Sequence, residues 1–292
     1  MSPNYYEEAV DQYVHVGPIC FAYRKFGAET GIPLTLLIHF RGTMDHWDPT
    51  FINPLAASRP IILIDNAGVG RSDGEVTLAI KDWAQNVINV LNAIAVKQTD
   101  LFGFSMGGFV AQLVTLNAPQ LIRRLILAGT SASIGEGVIA PKQVPSVMNL
   151  KDAETYEDQR QAYIEAFFGG SQNCLQAGGE AWDRIVSARE DRSELLGFEG
   201  TWRQFGAFGN FLLDPSQAKD GSFNRLHEIH IPVLVATGSN DAAIPTHNSY
   251  VLWQNLTNSD AQLHIYADSG HGFLFQYTVE FSRLIGEFLD SV

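Results

Sequence analysis

The sequence predicts an α/β fold in which a mostly parallel sheet is flanked by helices and interrupted by an inserted helical lid, or cap. Near-continuous apolar runs bounded by loop residues are typical of strands buried on both faces. These runs alternate with segments whose apolar residues recur every three to four positions, as in amphipathic helices. The chain has 292 residues, of which 46% are hydrophobic, so it can bury a large core without disulfides.

Strand and helix signals alternate along the first 133 residues. The earliest strands show mixed polar and apolar character, whereas LTLLIHF and IILID are almost continuously apolar. Apolar residues from Trp83 to Ile94 line one face of a helix, and Pro119 lies just beyond the end of another. In chain order we expect strands at 13–16, 19–27, 34–40 and 61–65, a helix at about 78–95, a strand at 100–104, a helix from 106 to about 117 and a strand at 123–129.

The pattern changes after Ser133. Residues 134–228 contain helix-like segments such as AETYEDQRQAYIEAFF but no convincing buried strand, so they are predicted to form the cap. The sheet resumes at 231–238 and 261–267, and a helix with an apolar stripe from Phe281 to Leu289 closes the chain. We therefore expect a core made of 1–133 and 229–292. Ligands of such sheets bind at the carboxyl ends of the strands.

Composition limits the classes of partner. A net charge of −13 argues against nucleic acid and anionic membranes, which select clustered Lys and Arg. No apolar run is long enough to span a bilayer, and the polar N-terminus lacks signal-peptide features, so we expect a cytoplasmic protein. Cys20 and Cys174 lack CxxC spacing and are predicted to be structural thiols. The sequence leaves a homodimer open.

A serine between glycines marks the end of the strand at 100–104. Gly103, Ser105 and Gly107 match G-x-S-x-G, a motif in which the nucleophile occupies a strained turn between a strand and a helix. Bulky side chains at the flanking positions would collide with the neighbouring strand and helix. Ser105 is therefore a candidate nucleophile, and its alternative role is that of a small residue packed in a tight turn.

A serine hydroxyl needs a base, and the base needs an orienting acid. GSNDAAIP places Asp241 after one late strand, and DSGHGF places His271 after the next, so both should lie at the same sheet edge as Ser105. The order Ser, Asp, His matches that of α/β-hydrolases. Asp241 could instead be only a turn former, because Ser, Asn and Asp, the residues of the SND sequence, are common in turns.

The motifs around Ser105, Asp241 and His271, together with HFRG and DNAGVGRS, resemble those of the α/β-hydrolases. The resemblance extends over nearly the full length of the chain and is nearest to lidded esterases, lactonases and cofactor-free haloperoxidase-like enzymes. The resemblance implies that Ser105 attacks a carbonyl, His271 relays the proton and Asp241 holds His271, without a cofactor. It also implies an oxyanion hole made by the backbone N–H of Met106 and an N–H of the HFRG loop. We assign the latter to Arg41, but many relatives have Gly where this chain has Phe40, so Phe40 stays the alternative.

Other features receive structural interpretations. His39 is expected to fix the HFRG loop, and the Arg41 side chain to lie at the surface or to fix that loop. His227 and His230 lack a third ligand, so no metal is expected. GVGRSDG, at 68–74, lacks dinucleotide-binding spacing and is predicted to be a tight loop beside the active site.

The cap is rich in aromatic residues, which predicts an apolar pocket for a small acyl substrate. We expect the pocket to contain Phe40, Phe168, Trp202, Phe205, Phe208 and Phe273. The leading function is hydrolysis of a small ester or lactone. C–C hydrolysis, cyanohydrin cleavage and perhydrolysis with the same triad stay open, as does a non-enzymatic receptor for a small ligand, because fold does not determine chemistry. An aspartate-nucleophile mechanism is disfavoured by the serine at position 105.

Overall fold

An eight-stranded sheet forms the centre of the fold in the computed structural model, which describes residues 4–140 and 145–291. The spatial order is β1-β2-β4-β3-β5-β6-β7-β8. The pairs β1–β2 and β2–β4 are antiparallel, and all other pairs are parallel. The strands are β1 Asp11–Val16, β2 Ile19–Gly27, β3 Leu34–Leu37, β4 Pro60–Ile64, β5 Thr99–Phe104, β6 Ile122–Ala128, β7 Val233–Gly238 and β8 Ala261–Tyr266.

Helices cover both faces of this sheet. The helices are α1 Pro49–Ala56, α2 Ile80–Ala93, α3 Met106–Asn117, α4 Pro145–Asp152, α5 Tyr156–Phe168, α6 Gln172–Ser187, α7 Phe198–Leu213, α8 Thr246–Asn255, α9 Phe273–Gln276 and α10 Thr278–Asp290. Side chains of α2, α3 and α8 belong to one apolar core, and those of α1 and α10 to the other. No helix in the described part of the chain combines the length and the apolarity that crossing a membrane requires.

Four helices, α4 to α7, lie between β6 and β7. The described residues of this segment contain no strand, and residues 141–144 of the predicted cap lie outside the described residues. The cap packs on the core through aromatic contacts: the Phe211 ring of α7 stacks on Phe109 of α3 with centroids 4.8 Å apart. This contact holds α7 above the N-terminal half of α3, next to the position of Ser105.

The clearest differences from the sequence prediction concern β3 and two helices. The strand predicted at 34–40 ends at Leu37, because the chain turns at 39–42, where Gly42 N–H donates to His39 O at 3.0 Å and Arg41 has a φ of 61°. Helices α1 and α8 were not predicted. The sequence of α1, PTFINPLA, contains two prolines, which weaken the helix signal although Pro49 suits the first helical turn.

A buried ion-pair network fixes the segment after β3. Arg24 of β2 is fully buried and pairs with Asp11 and Asp45, each at 2.6 Å. Arg71 also pairs with Asp45 at 2.6 Å. Burial by itself raises the pKa of Asp45, but the positive charge of Arg24 and the hydrogen bonds from Ser193, Arg71 and Arg24 outweigh it and hold the pKa below its usual range.

Candidate active site

Ser105 occupies a strained turn between β5 and α3. Its backbone has φ 57° and ψ −122°, a region that non-glycine residues seldom adopt. The turn is held because Ser105 N–H donates to Ala128 O of β6 at 2.9 Å, and the Thr130 hydroxyl donates to Ser105 O at 2.8 Å. The hydroxyl is thus presented at the carboxyl edge of the sheet.

The glycines of the motif are required by close backbone approach. A Cβ at Gly103 would lie 2.5 Å from Gly107 O, and one at Gly107 would lie 2.2 Å from Leu37 O. A Cβ at Gly108 would lie 2.5 Å from the Thr130 hydroxyl oxygen. These contacts let the first turn of α3 pack directly on β5 and on the end of β3, which explains the small-residue signature of the sequence.

Ser105, His271 and Asp241 come together although they are far apart in the sequence. His271 Nε2 lies 2.8 Å from Ser105 Oγ, and His271 Nδ1 lies 2.7 Å from Asp241 Oδ2. The exposed fractions of the three residues are 5%, 1% and 7%, so water barely reaches the hydrogen bonds. A carboxylate only accepts hydrogen bonds, so Nδ1 carries the imidazole proton and Nε2 is free to accept the Ser105 proton.

The loops that carry His271 and Asp241 are fixed by backbone contacts. Asp241 Oδ1 accepts the N–H groups of Ala243 at 3.0 Å and Ile244 at 2.8 Å, which orients its other oxygen toward His271. Gly272 N–H donates to Phe167 O at the end of α5, at 2.7 Å. The cap therefore helps to set the position of the histidine loop.

A cavity of about 460 Å³, part of it open to solvent, lies against Ser105 and His271. Apart from Ser105 and His271, all lining side chains are apolar: Phe40, Val147, Leu150, Ala166, Phe167, Phe205, Phe208, Ala243 and Ile244. The cap supplies six of these residues, so it forms the roof of the cavity.

Three residues predicted in the pocket lie elsewhere. Phe168 is fully buried beneath the histidine loop, where its ring occupies the space that a Cβ at Gly272 would need. Trp202 is 43% exposed, with the Lys151 ammonium 4.0 Å from its ring centroid. Phe273 stacks on Tyr266 away from the cavity, at 5.2 Å. The packing of the cap helices determines which face each ring occupies. Two consecutive aromatic residues such as Phe167 and Phe168 do not show from sequence which of them faces the cavity.

The expected oxyanion donors differ in their surroundings. Met106 is the first residue of α3, where backbone N–H groups have no partner within the helix. The N–H of Arg41, in contrast, is not open: it donates to Gln204 Oε1 of α7 at 2.7 Å. Arg41 as the second oxyanion donor therefore stays a prediction, and its N–H would have to leave Gln204 to fill that role. Its side chain is not at the surface either, because Arg41 is only 4% exposed and its guanidinium contacts the cap.

His39 contacts the loop as the sequence predicts. His39 Nδ1 lies 2.8 Å from Phe40 O, and because a carbonyl oxygen only accepts, this nitrogen carries the proton. Burial lowers the pKa of His39 to about 4, which favours its neutral form. The Phe167 ring contacts both His39 and His271, with its centroid 4.9 Å from the centroid of each imidazole.

Asp65 is a site-supporting residue that the sequence prediction did not single out. Its two carboxylate oxygens accept the N–H of Met44 at 2.8 Å and the N–H of Arg71 at 3.0 Å. The 68–74 loop closes around this carboxylate, since a Cβ at Gly70 would lie 2.2 Å from Asp65 Oδ2. Burial raises the pKa of Asp65 to about 6. The loop therefore fixes the segment that follows β3.

No group of three or more His, Cys, Asp or Glu side chains suited to a metal occurs within residues 4–140 and 145–291. The chemistry that this arrangement can perform is proton transfer from a hydroxyl to an imidazole beside an apolar cavity. Such a hydroxyl becomes a nucleophile toward a bound carbonyl group.

Comparisons with known proteins identify similar proteins over most of the chain. A family model described as serine aminopeptidase S33 matches residues 56–277. An α/β-hydrolase fold protein from Chitinophaga pinensis is 30% identical, with a TM-score of 0.87, and the match covers 98% of this chain and 99% of that one.

Two curated relatives are named as hydrolases. The 2-hydroxymuconate semialdehyde hydrolase of a Pseudomonas species is 29% identical over 243 residues, which are 80% of this chain and 78% of the relative. The 2-hydroxy-6-oxononadienedioate/2-hydroxy-6-oxononatrienedioate hydrolase of Klebsiella pneumoniae is 26% identical over 245 residues, covering 82% and 79%. The similarity therefore extends over most of the fold.

Proposed function

The chain belongs to the α/β-hydrolase family described as serine aminopeptidase S33, and from this membership we propose that it cleaves a small, mainly apolar carboxylic ester or lactone. It is a hydrolase, as the family and the names of its relatives indicate. The finer assignment rests on the contacts of Ser105 and on the cavity beside it. The hydrogen-bonded series from Asp241 through His271 to Ser105 supports hydrolysis by a serine nucleophile, and the observation that carries the ester or lactone assignment is the apolar, uncharged lining of the cavity.

The proposed reaction has two halves. Ser105 Oγ attacks the carbonyl carbon while its proton passes to His271 Nε2, and Asp241 stabilises the imidazolium that forms. The imidazolium then donates this proton to the leaving alcohol oxygen, which leaves an acyl group on Ser105. Water attacks the acyl-enzyme with His271 as the base, so the acid is released and the serine hydroxyl restored.

The negative oxygen of each tetrahedral intermediate needs hydrogen-bond donors. We assign one to the Met106 N–H, because a helix N-terminus offers an unpaired donor and a favourable dipole. The second comes from the 40–41 segment, which follows the Leu37 and Ile38 backbone that packs against the first turn of α3 at Gly107. A preorganised donor of this kind typically contributes about a hundredfold to a thousandfold in rate.

The charge of the cavity lining supports a neutral substrate. The Klebsiella relative is named for a dioate, a molecule with two carboxylates. Binding such a molecule favours Arg or Lys in the pocket, whereas none of the residues lining this cavity is Arg or Lys. None is Asp or Glu either, so the lining offers no partner for the free amino group of a peptide. An apolar ester or lactone fits this lining best.

The test is a burst experiment with a short-chain nitrophenyl ester. Wild type should release nitrophenol rapidly and react with a fluorophosphonate at Ser105, and Ser105→Ala should do neither. Ser282→Ala is the matched control, because its hydroxyl donates to Val279 O of its own helix, at 3.2 Å. Labelling that persists in Ser105→Ala would refute the assignment of the nucleophile.

The similarity to 2-hydroxymuconate semialdehyde hydrolase supports a second candidate, C–C bond hydrolysis by the same triad. Product analysis separates the two. Turnover of a 2-hydroxy-6-oxodienoate at a higher kcat/KM than any neutral ester or lactone would replace the ester assignment while keeping Ser105, His271 and Asp241 in their roles.

A further inference from the structure

Arg41 is tied to the cap through both its backbone and its side chain. Its N–H donates to Gln204 Oε1 at 2.7 Å. Its guanidinium donates to the carbonyl oxygens of Leu150 at 2.6 Å, Ala153 at 2.9 Å and Leu196 at 3.2 Å. Arg41 and Gln204 are 4% and 1% exposed. The loop after β3 therefore contacts three separate parts of the cap through one residue.

The direction of the Arg41 N–H is set by its neighbours. In a trans peptide the N–H and the preceding C=O point in opposite directions. His39 Nδ1 donates to the C=O of Phe40, at 2.8 Å, so the Arg41 N–H points away from His39 and toward α7. Arg41 holds this orientation with φ 61°, a left-handed conformation that a non-glycine residue keeps only when its surroundings impose it.

The acceptor of this N–H lies at the roof of the candidate active site. Gln204 immediately precedes Phe205 in α7, and Phe205 lines the cavity with Ser105 and His271. The loop that carries Arg41 adjoins the first turn of α3 where the loop begins, since a Cβ at Gly107 would lie 2.7 Å from Ile38 O. The amides of Arg41 and Met106 are therefore on adjoining segments at the carboxyl edge of the sheet.

We propose that Gln204 is a displaceable plug of the oxyanion hole, whose Oε1 holds the Arg41 N–H until the carbonyl oxygen of the substrate replaces it. This inference rests on the proposed function. The side-chain oxygen of glutamine is an amide carbonyl, and it resembles the oxygen that the hole is built to receive. A negatively charged oxyanion accepts hydrogen bonds more strongly than a neutral amide, so the exchange favours the transition state. Gln204 returns when the product leaves.

The competing explanation makes Gln204 a simple tether of the cap, and it predicts the opposite change in rate. If Gln204 only positions the loop, its loss disorders the donor and slows acylation. If Gln204 occupies the donor, its loss removes a competitor and speeds acylation. The sign of the effect therefore distinguishes the two explanations.

The experiment compares the second-order rate of fluorophosphonate labelling, and kcat and KM for a nitrophenyl ester, in wild type and three variants. Gln204→Met keeps the length of the side chain without the carbonyl. It should react about threefold to tenfold faster, because this factor corresponds to the free energy of one net hydrogen bond. Gln204→Glu replaces the amide by a carboxylate, which should hold the N–H more strongly and raise KM at pH 8 with little change in kcat.

Asn210→Leu is the matched control. Asn210 is also in α7, and its Nδ2 donates to Leu78 O at 3.0 Å, so its loss loosens α7 without touching Arg41. The rate of this variant should stay within about twofold of wild type, as for a surface substitution. Thermal unfolding of every variant checks that the rates come from folded protein.

The outcomes separate the plug from the proposed function. Slower labelling of Gln204→Met, or equal acceleration in Asn210→Leu, would overturn the plug while Ser105 remained the nucleophile. No labelling in any of the four proteins would overturn the proposed function and the plug with it.

A structure of the phosphonylated protein gives a second measurement. We expect the Arg41 N–H to donate a hydrogen bond to the phosphonyl oxygen, with the Gln204 side chain turned away. Gln204 still bonded to Arg41, or the oxygen on Phe40 N–H, would refute the plug.

Discussion

Asp241→Asn tests the hydrogen-bonded series of the active site with a change of one atom. In the structure Asp241 Oδ1 accepts the N–H groups of Ala243 and Ile244, at 3.0 and 2.8 Å, and Oδ2 lies 2.7 Å from His271 Nδ1. An asparagine keeps its oxygen toward the two N–H groups, because turning its NH₂ toward them leaves two buried donors unpaired. Each unpaired donor costs about 1–3 kcal/mol, so the turned form is populated at only a few per cent.

The asparagine NH₂ therefore faces His271. Because this group donates, His271 must present a lone pair at Nδ1 and carry its proton on Nε2, which lies 2.8 Å from Ser105 Oγ. The imidazole then donates to the serine hydroxyl instead of accepting its proton. Loss of the correct tautomer in this way lowers kcat by a factor of about 10⁴, which is equivalent to raising the activation free energy by about 5 kcal/mol.

The assay is steady-state and burst kinetics of nitrophenyl ester hydrolysis at pH 8. Asp268→Asn is the control, because it removes a carboxylate three residues before His271 whose Oδ2 accepts from Ser171 Oγ at 2.9 Å. The control should stay within about twofold of wild type. A folded Asp241→Asn protein that keeps more than about a tenth of the wild-type kcat would refute the assigned role of Asp241.

Three further predictions concern the framework. Gly107→Ala places a Cβ 2.2 Å from the carbonyl oxygen of Leu37 at the end of β3, so both Tm and activity should fall. At the control position, a Cβ at Gly209 would have no neighbouring atom within 4 Å, so Gly209→Ala should raise stability by about 0.5–1 kcal/mol in thermal unfolding. Arg24→Met removes the fully buried cation between Asp11 and Asp45 and leaves Arg71 as the cation paired with both carboxylates, so it should cost up to about 5 kcal/mol in urea unfolding. Burial lowers the pKa of His39 from 6.5 to about 4. Between pH 6.5 and 4 the unfolded chain therefore binds more protons than the folded protein, and the free energy of unfolding decreases as the pH falls through this range. Urea titrations from pH 7 to 4.5 should therefore show a smaller loss for His39→Asn than for wild type; equal losses would refute this.

The order and type of the central elements could be predicted from the sequence because local patterns carry them. The helix from Met106 to Asn117 and the strand from Ile19 to Gly27 have the predicted bounds. Buried parallel strands read as continuous apolar runs, and amphipathic helices read as a period near 3.6. Signals were lost where a proline-containing helix was short, as at Pro49–Ala56, or where a tight turn cut a strand, as at 39–42.

The candidate triad could also be predicted, because parallel strands bring their carboxyl ends to one edge. Once Ser105, Asp241 and His271 each follow a strand of the same sheet, their proximity is a consequence of topology. The residues around the cavity beside Ser105 could not be predicted in this way. Trp202 and Phe205 are both aromatic residues of one helix, yet only Phe205 faces the cavity.

The sequence by itself therefore determined the fold class, the strained serine turn and the identity of the candidate catalytic side chains, since these depend on contacts between near neighbours and on strand order. Only the tertiary structure decided that Phe167 lines the cavity in place of Phe168, and that the Arg41 N–H meets Gln204, 163 residues away. The physical reason is that the cap has its own helices, whose rotation and approach to the sheet are set by packing between side chains distant in sequence. No local pattern of residues records that packing.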